Sequence, residues 1–245
     1  VRGNFDDCPN AVKQAFAAVN SIESFKKSNM TLSSANSINI GRLAPQVTYY
    51  FKAYSDLVCQ NRIGVGDDVD FVVPSGNFGD ILAGYFAKLM GLPVRYLVCA
   101  SNENKVLTDF LTTGTYDKRR QFLRTSSPSM DILVSSNLER LLFLASECDA
   151  TMVSKLMKDL NSNGFFIVDD TVMEKIKTTF KAYCCSEQET ISTIGDMYRE
   201  HGYLCDPHTA VGIKVADDYR KDYNDSTPLF VLSSASPYKF PSPVS

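Results

Sequence analysis

The sequence predicts an α/β fold built on a parallel sheet. Short apolar runs bounded by polar residues, at 69–74, 96–99 and 228–232, are typical of buried strands. A glycine-containing turn and one helix join the first two of these strands, which makes a βαβ unit. Because such a crossover connects parallel strands, we expect the sheet to be parallel.

The remaining elements follow from apolar residues that recur at helical spacing. Helices are predicted over residues 9–29, 41–61, 81–90, 137–146, 152–160 and 186–201, and another begins at 206–207. Their ends carry suitable residues, since Pro9 and Pro207 fit a first turn, Asp206 fits an N-cap, and Gly91 and Gly202 fit the position after a helix. The sequence contains no internal repeat.

Composition and charge argue against several classes of protein. The 245 residues are 44% hydrophobic and 22% charged, with a net charge of −3, which is ordinary for a globular chain. Nucleic-acid binding is not expected without a basic face, and no apolar run approaches the ~18 residues that a membrane span needs. Seven scattered cysteines and two histidines favour reduced thiols in the cytoplasm over a disulfide framework or a metal site.

Two strands end in loops that are candidates for ligand binding, at 75–80 and 233–237, because parallel sheets bind ligands beyond the carboxyl ends of their strands. The first loop is glycine-rich and enters a helix directly, so its N–H groups and the helix dipole would favour a phosphate. It matches neither the dinucleotide pattern nor the Walker loop. From spacing alone, a phosphate cradle and a plain tight turn are equally good interpretations.

Seven segments of the chain resemble one family, in that family's order. Residues 74–80, with the sequence PSGNFGD, resemble the cofactor-phosphate loop of threonine synthases, which are fold type II pyridoxal-phosphate enzymes. The other six are GNFDDC at 3–8, NSINIGR at 36–42, SPSMDI at 127–132, SSNLER at 135–140, DPHTA at 206–210 and ASPYKF at 235–240. Together they extend over almost the whole chain, so the resemblance is specific.

This resemblance implies a carbon–oxygen lyase that converts O-phospho-L-homoserine and water to L-threonine and phosphate, with pyridoxal 5′-phosphate as electron sink. It implies a three-layer fold of the tryptophan synthase β-like kind, incomplete here. Residues 1–35 would complete the smaller domain and 36–245 would form most of the larger, cofactor-binding domain. We expect a small-molecule substrate, a cytoplasmic location, a monomer or homodimer, and neither a nucleic-acid nor a membrane partner.

The resemblance also implies roles for individual residues. The cofactor phosphate would be held by Ser75, Gly76, Asn77, Phe78 and Gly79. Ser234 would bond the pyridine nitrogen; the family commonly has threonine there, and serine keeps the hydroxyl.

Candidate substrate contacts are Asn36, Ser37, Asn39, Arg42 and His208, with Arg42 suited to a bidentate phosphate clamp. Structural roles stay open, because Arg42 is equally well a surface arginine and His208 a buried hydrogen-bonding residue. Weaker candidates, for which capping or solvent exposure is the plainer interpretation, are Ser136, Asn137, Arg140 and Lys239.

One feature of the family is missing from the sequence. In the family, the Schiff-base lysine lies upstream of the segment that residues 3–8 resemble, and none of the chain's lysines lies in a comparable setting. The chain begins at Val1 without an initiator methionine, so we expect a fragment or processed product that is inactive alone. No catalytic residue is assigned.

Two alternatives remain open. Another fold type II lyase, such as a threonine dehydratase, would share the glycine loop but would not be expected to carry segments like 36–42 and 206–210. A non-catalytic module would bind pyridoxal phosphate or phosphate without turnover.

Overall fold

A computed structural model of the chain describes residues 7–19, 22–28, 30–33, 39–224 and 226–244. The strands are β1 (Val69–Pro74), β2 (Val94–Ser101), β3 (Thr115–Asp117), β4 (Phe165–Ile167), β5 (Phe180–Cys184) and β6 (Leu229–Val231). The helices are α1 (Asp7–Val19), α2 (Glu23–Lys26), α3 (Ile40–Leu43), α4 (Val47–Cys59), α5 (Gly79–Leu89), α6 (Val106–Thr113), α7 (Leu138–Ala145), α8 (Ala150–Asn163), α9 (Asp170–Lys177), α10 (Glu187–His201), α11 (Pro207–Asp222) and α12 (Pro241–Val244). Three 3₁₀ turns lie at Ala44–Gln46, Pro128–Met130 and Pro237–Lys239.

Four strands form one parallel sheet in the order β5-β2-β1-β6. All six residues of β1 are buried, as expected for a central strand with neighbours on both sides. β3 and β4 form a separate antiparallel pair. The predicted parallel sheet is therefore confirmed. The expectation that the last strand is buried was wrong, because β6 lies at the edge of this sheet and is only half-buried.

Helices cover both faces of the sheet, which gives three layers. Successive side chains of a strand point to opposite faces. Phe71 and Val73 of β1 belong to the larger apolar core, to which α4–α9 contribute side chains. Val72, between them, belongs to the second core with Val211 and Val215 of α11.

Two predicted helices are divided. The helix expected over 9–29 is instead α1 and α2, and Ile22, which precedes α2, has an extended backbone. The helix expected over 41–61 is α3 and α4 joined by the 3₁₀ turn at Ala44–Gln46, since Pro45 has no N–H to donate. The predicted domain boundary, between residues 35 and 36, lies outside the described residues and stays a prediction.

Within the described ranges, no helix is long and apolar enough to cross a membrane. The same residues contain no group of three His, Cys, Asp or Glu side chains placed to hold a metal ion. The six cysteines whose side chains are described are free thiols.

Candidate active site

The loop 75–78 joins β1 to α5, at the carboxyl edge of the sheet. Phe78 has a φ of 61°, a left-handed conformation that residues other than glycine seldom adopt. Its ring is buried against Phe180, with 5.6 Å between the ring centroids, and this packing holds the residue in place. Neither Gly76 nor Gly79, the first residue of α5, has a positive φ, so the reason for a glycine at position 76 lies elsewhere.

Gly76 is required by a close approach of two backbone segments. A Cβ atom at this position would lie 2.7 Å from the carbonyl oxygen of Ser129 and 2.9 Å from Cδ1 of Ile132. Real Cβ atoms do not come so close to a backbone oxygen, so any other residue would push the two segments apart. The loop 75–78 therefore rests directly on the segment around Ser129.

The carbonyl groups of the loop are bonded from one side. Ser135 Oγ donates to the carbonyl of Gly76 at 2.8 Å. Asn137 donates to the carbonyl of Asn77 through both its backbone N–H, at 3.1 Å, and its Nδ2, at 2.9 Å. In a trans peptide the N–H points opposite to the C=O. The N–H groups of Asn77 and Phe78 therefore point away from residues 135–137.

Those N–H groups are left open. Among the described residues, the backbone N–H groups of Gly76, Asn77 and Phe78 have no hydrogen-bond acceptor. They lie just before the first turn of α5, whose dipole adds positive potential. Open donors at a helix N-terminus are the usual protein site for a phosphate.

Ser75 is the member of the loop with the least freedom. It is buried, its Oγ donates to the carbonyl of Val73 at 3.0 Å, and its N–H donates to Ala100 at 2.9 Å. The hydroxyl is therefore turned to its own strand in this conformation, and its contact with a phosphate stays a prediction.

Asp80, in the first turn of α5, affects the charge beside the loop. Burial raises the pKa of its carboxyl to about 6, although a hydrogen bond from Tyr50 opposes the shift. The Tyr50 hydroxyl also donates to the backbone carbonyl of Asp80 at 2.8 Å. Near pH 6 this carboxyl is half protonated, so it adds less negative charge beside the open N–H groups than an exposed carboxylate would.

A buried polar hub positions the segment that supports Gly76. We call residues 125–131 the strap. Asp131 Oδ1 accepts from Asn102 Nδ2 at 2.8 Å, from Asn104 Nδ2 at 3.0 Å and from Thr125 Oγ1 at 2.7 Å. Its second oxygen accepts from the N–H of Thr125 at 2.9 Å. The hub was not predicted from the sequence, although Asn102 and Asn104 come within five residues of the strand predicted at 96–99, at the edge where ligands bind.

Two further contacts hold the strap. The carboxylate of Glu187 accepts from the N–H and the hydroxyl of Ser126. His208 Nε2 accepts from the N–H of Ser129 at 3.2 Å, which fixes the neutral ring with its proton on Nδ1, 2.9 Å from Asp206 Oδ1. Both ring nitrogens are therefore used inside the protein. The predicted contact between His208 and substrate is untested by this arrangement and stays a prediction.

The pKa of Asp206 reflects the same contacts. Burial would raise it, but hydrogen bonds from His208 and Thr209 outweigh burial and hold it below the ordinary value. Asp206 also accepts from the backbone N–H of both residues, as the N-cap of α11. The carboxylate therefore stays charged and fixes the orientation of the His208 ring.

The second candidate loop leaves the sheet beside the first. Val231 of β6 pairs with Val72 of β1, so the residues after both strands emerge side by side. Ser233 Oγ lies 3.1 Å from Thr209 Oγ1, which gives its own proton to Asp206. Ser234 is exposed, and its hydroxyl has no partner in the described part of the chain. This difference is consistent with the prediction that Ser234, not Ser233, meets a ligand.

Of the remaining candidates, the structure describes Asn39, Arg42 and Lys239. Asn39 caps α3, accepting from the N–H of Gly41 at 2.9 Å, and Arg42 is exposed on that short helix, which contacts α5. Asn36 and Ser37 lie outside the described residues. Lys239 is exposed in a 3₁₀ turn.

The other three weaker candidates, Ser136, Asn137 and Arg140, lie beside the loop 75–78. Ser136 Oγ lies 3.4 Å from Asn77 Oδ1, while Asn137 bonds both Arg140 and the loop, so these residues hold the loop in place.

Comparison with known proteins shows which family the chain resembles. A family model described as "Threonine synthase, C-terminal" matches residues 209–245. A threonine synthase from Pseudomonas aeruginosa is 41% identical over 245 residues, which is all of this chain and 49% of that protein. The chain is similar to threonine synthases over its whole length. The resemblance that the seven segments indicated is thus confirmed.

The similar proteins carry two names. "Threonine synthase-like 1" from Macaca fascicularis is 46% identical over 242 residues, which is 98% of this chain and 32% of that protein. The chain thus spans about half the length of the threonine synthases it matches, and about a third of the threonine synthase-like proteins.

Solved structures agree with the family and the fold. The structure of PLP-bound threonine synthase from Brucella melitensis superposes with a TM-score of 0.85 at 43% identity, over 99% of this chain and 49% of that one. A solved threonine deaminase reaches a TM-score of 0.51 at 11% identity, over 78% of this chain and 57% of that one, which is a likeness of fold alone. The predicted fold type II architecture is confirmed.

Proposed function

We propose that the protein carrying this chain is a threonine synthase, which converts O-phospho-L-homoserine and water to L-threonine and phosphate in the cytoplasm. The observation that carries the proposal is the row of open N–H groups at Gly76, Asn77 and Phe78, in a chain similar to threonine synthases. Similarity alone would not decide the reaction, because the similar proteins include some named only as threonine synthase-like.

The residues at the carboxyl edge of the sheet fit pyridoxal 5′-phosphate. The open N–H groups of the loop and the dipole of α5 suit its phosphate, and Gly76 lies so close to the strap that a side chain there would not fit without a shift. The exposed hydroxyl of Ser234 suits the pyridine nitrogen, which a neutral partner leaves largely unprotonated. When bound, the cofactor supplies an electron sink for carbanions next to the substrate's amino group.

The chain's other candidates serve the substrate. The guanidinium of Arg42 is exposed on α3, beside α5, and its planar fork suits the substrate phosphate. Asn36, Ser37 and Asn39 belong to the same segment of sequence and would bond the substrate's carboxylate or phosphate. In this proposal, residues 36–245 form the larger domain and residues 1–35 the end of the smaller one.

Binding at the loop is tested with sulfate as a stand-in for phosphate. A crystal of the protein grown in sulfate is expected to show an anion within hydrogen-bond distance of the N–H groups of residues 76–79. A loop that stays empty and folded away from α5 at molar sulfate would contradict the cradle.

The reaction is tested by phosphate release. The complete protein is expected to release phosphate from O-phospho-L-homoserine, whereas the 245-residue chain alone is expected to release none above background. The reason is that the lysine that binds the cofactor covalently lies, in the family, upstream of the segment that residues 3–8 resemble. Phosphate release by the 245-residue chain would overturn this assignment. A complete protein that binds pyridoxal phosphate without turnover would instead be a non-catalytic binding module.

A further inference from the structure

His208 is enclosed on every side that the structure describes. Only 2% of its surface is exposed, its ring lies 4.9 Å from the ring of Phe240, and Nδ1 is bonded to the charged N-cap residue Asp206. The first turn of α11 thus fixes the ring, and Nε2 is the ring nitrogen that bonds another segment. That atom accepts the hydrogen bond from the strap at Ser129.

Ser129 and Met130 are strap residues that lie against Gly76 of the loop at 75–78. The carbonyl oxygen of Ser129 is the atom nearest to the place where a Cβ of Gly76 would lie, at 2.7 Å. The strap is held at Ser126 by Glu187 and at Asp131 by the two asparagines. Between these points, the N–H of Ser129 has no acceptor among the described residues other than His208.

We propose that His208, in place of the predicted contact with substrate, is a positioning residue: it fixes the backbone of Ser129, and through it the open N–H groups of the loop at 75–78. The ligand that benefits rests on the proposed function, since it is the phosphate of pyridoxal 5′-phosphate. The contact between His208, Ser129 and Gly76 does not depend on that function, so the two can fail separately.

Two substitutions separate the ring's two nitrogens. In His208→Gln, the longer side chain can place an oxygen acceptor near the position of Nε2. In His208→Asn, the shorter side chain can still donate to Asp206, in place of Nδ1, but cannot reach Ser129. The chain offers a matched control in its second histidine, His201, which is exposed at the end of α10, so His201→Asn makes the same chemical change away from the strap.

The experiment measures amide hydrogen exchange in the complete protein without ligand, together with its affinity for pyridoxal 5′-phosphate. Loss of the hydrogen bond to the Ser129 N–H is expected to speed exchange about tenfold in His208→Asn, in peptides that contain residues 125–131. Its affinity for the cofactor is expected to fall by about the same factor. His208→Gln and His201→Asn are expected to stay within about twofold of the unsubstituted protein in both measurements.

Three results would overturn the proposal. Exchange in His208→Asn could remain unchanged, His208→Gln could be as impaired as His208→Asn, or exchange could rise equally in α8, which would mean a loss of global stability. If the unsubstituted protein binds no pyridoxal 5′-phosphate, the proposed function fails, and the exchange data still decide the role of His208.

Discussion

The two ends of β1 differ in how many of their polar groups are hydrogen-bonded within the protein. At the amino end, Asp70 is fully buried and accepts hydrogen bonds from Arg95 at 2.5 and 3.1 Å, from the hydroxyl of Tyr219 at 2.7 Å and from the N–H of Tyr96 at 3.0 Å. At the carboxyl end, residues 76–78 have bonded carbonyls but open N–H groups, among the residues described.

This difference separates the groups that hold the fold from those available to a ligand. Leaving a buried donor unbonded costs free energy, so proteins seldom do it without a reason. Asp70 joins two strands and α11 and has no bonding capacity to spare for a ligand. The open N–H groups, by contrast, are held in place by neighbours that bond only the carbonyl side of the same peptides.

The largest loss of stability is expected at the amino end of β1, where Asp70 has all its hydrogen bonds inside the protein. Asp70→Asn leaves the charge of Arg95 without its carboxylate, and breaking a buried ion pair from one side typically costs about 3–5 kcal/mol. Because the Arg95 side chain is 24% exposed, we expect about 3 kcal/mol in the free energy of unfolding, measured by urea denaturation. Cofactor affinity of the folded variant is expected to be unchanged.

The control for Asp70 is the surface ion pair between Asp117 and Arg119, in which both side chains are partly exposed. Asp117→Asn is expected to cost less than about 1 kcal/mol, because water screens such pairs. Equal losses at Asp70 and Asp117 would mean that the amino end of β1 is not the stabilising network that its geometry indicates.

Asp80 gives the second prediction, a dependence of stability on pH at the open end. Its pKa in the folded protein is about 6, above the ordinary 3.8. The folded state therefore binds this proton more readily than the unfolded state, so the contribution to stability is complete below about pH 4 and is lost as the pH rises through 6. A shift of about two units corresponds to about 3 kcal/mol.

Asp80→Asn removes this titration. The variant is therefore expected to be more stable than the unsubstituted protein at pH 7, by up to about 3 kcal/mol, and equally stable at pH 4. Urea denaturation at several pH values measures the difference. Asp170→Asn, at an exposed carboxylate in the first turn of α9, is the control and is expected to lose rather than gain stability at pH 7. A difference at Asp80 that does not vary with pH would contradict the raised pKa.

How far the sequence predicted these regions depends on how local the signal is. β1, α5 and β2 were predicted because each is one apolar run or one helical pattern with a glycine or proline at its ends. β5 was missed because Lys181 and Tyr183 interrupt its apolar pattern, as an edge strand allows. The three-residue strands β3 and β4 are too short to show a period.

In the candidate site, too, the local features could be predicted from the sequence and the long-range contacts could not. The loop at 75–79 is a contiguous motif, so both its chemistry and its family resemblance were visible in the sequence. The contact between Asn102 and Asp131 joins residues 29 positions apart, and that between His208 and Ser129 joins residues 79 apart. No local pattern encodes such pairs, because they depend on how the segments after different strands meet in space.

The third prediction concerns Gly76. It tests whether ligand binding depends on the shape of the loop after β1 as well as on the N–H groups of that loop. Gly76→Ala forces the loop and the strap apart, because the added methyl would meet a backbone oxygen rather than a flexible side chain. We expect a loss of about 1–3 kcal/mol in the free energy of unfolding. Affinity for pyridoxal 5′-phosphate is expected to fall roughly ten- to a hundredfold, as measured by titration.

Gly195→Ala, in α10, is the matched control for Gly76. Its added methyl would meet the mobile end of the Arg199 side chain, so it is expected to be neutral or slightly stabilising, as alanine is in a helix. If Gly76→Ala bound the cofactor normally, the close contact with Ser129 would be a feature of packing only.

The smallest effect is expected at Ser234, where a single hydroxyl is at stake. Ser234→Ala removes one hydrogen bond to the pyridine nitrogen and is expected to weaken binding of pyridoxal 5′-phosphate about tenfold, with stability unchanged because the side chain is exposed. Ser234→Thr keeps the hydroxyl and is expected to bind normally. Ser233→Ala is expected to do the reverse of Ser234→Ala, losing about 1 kcal/mol of stability with the contact to Thr209 while binding the cofactor normally. If Ser233→Ala weakened cofactor binding and Ser234→Ala did not, the assignment of the ligand-facing hydroxyl would be shifted by one residue.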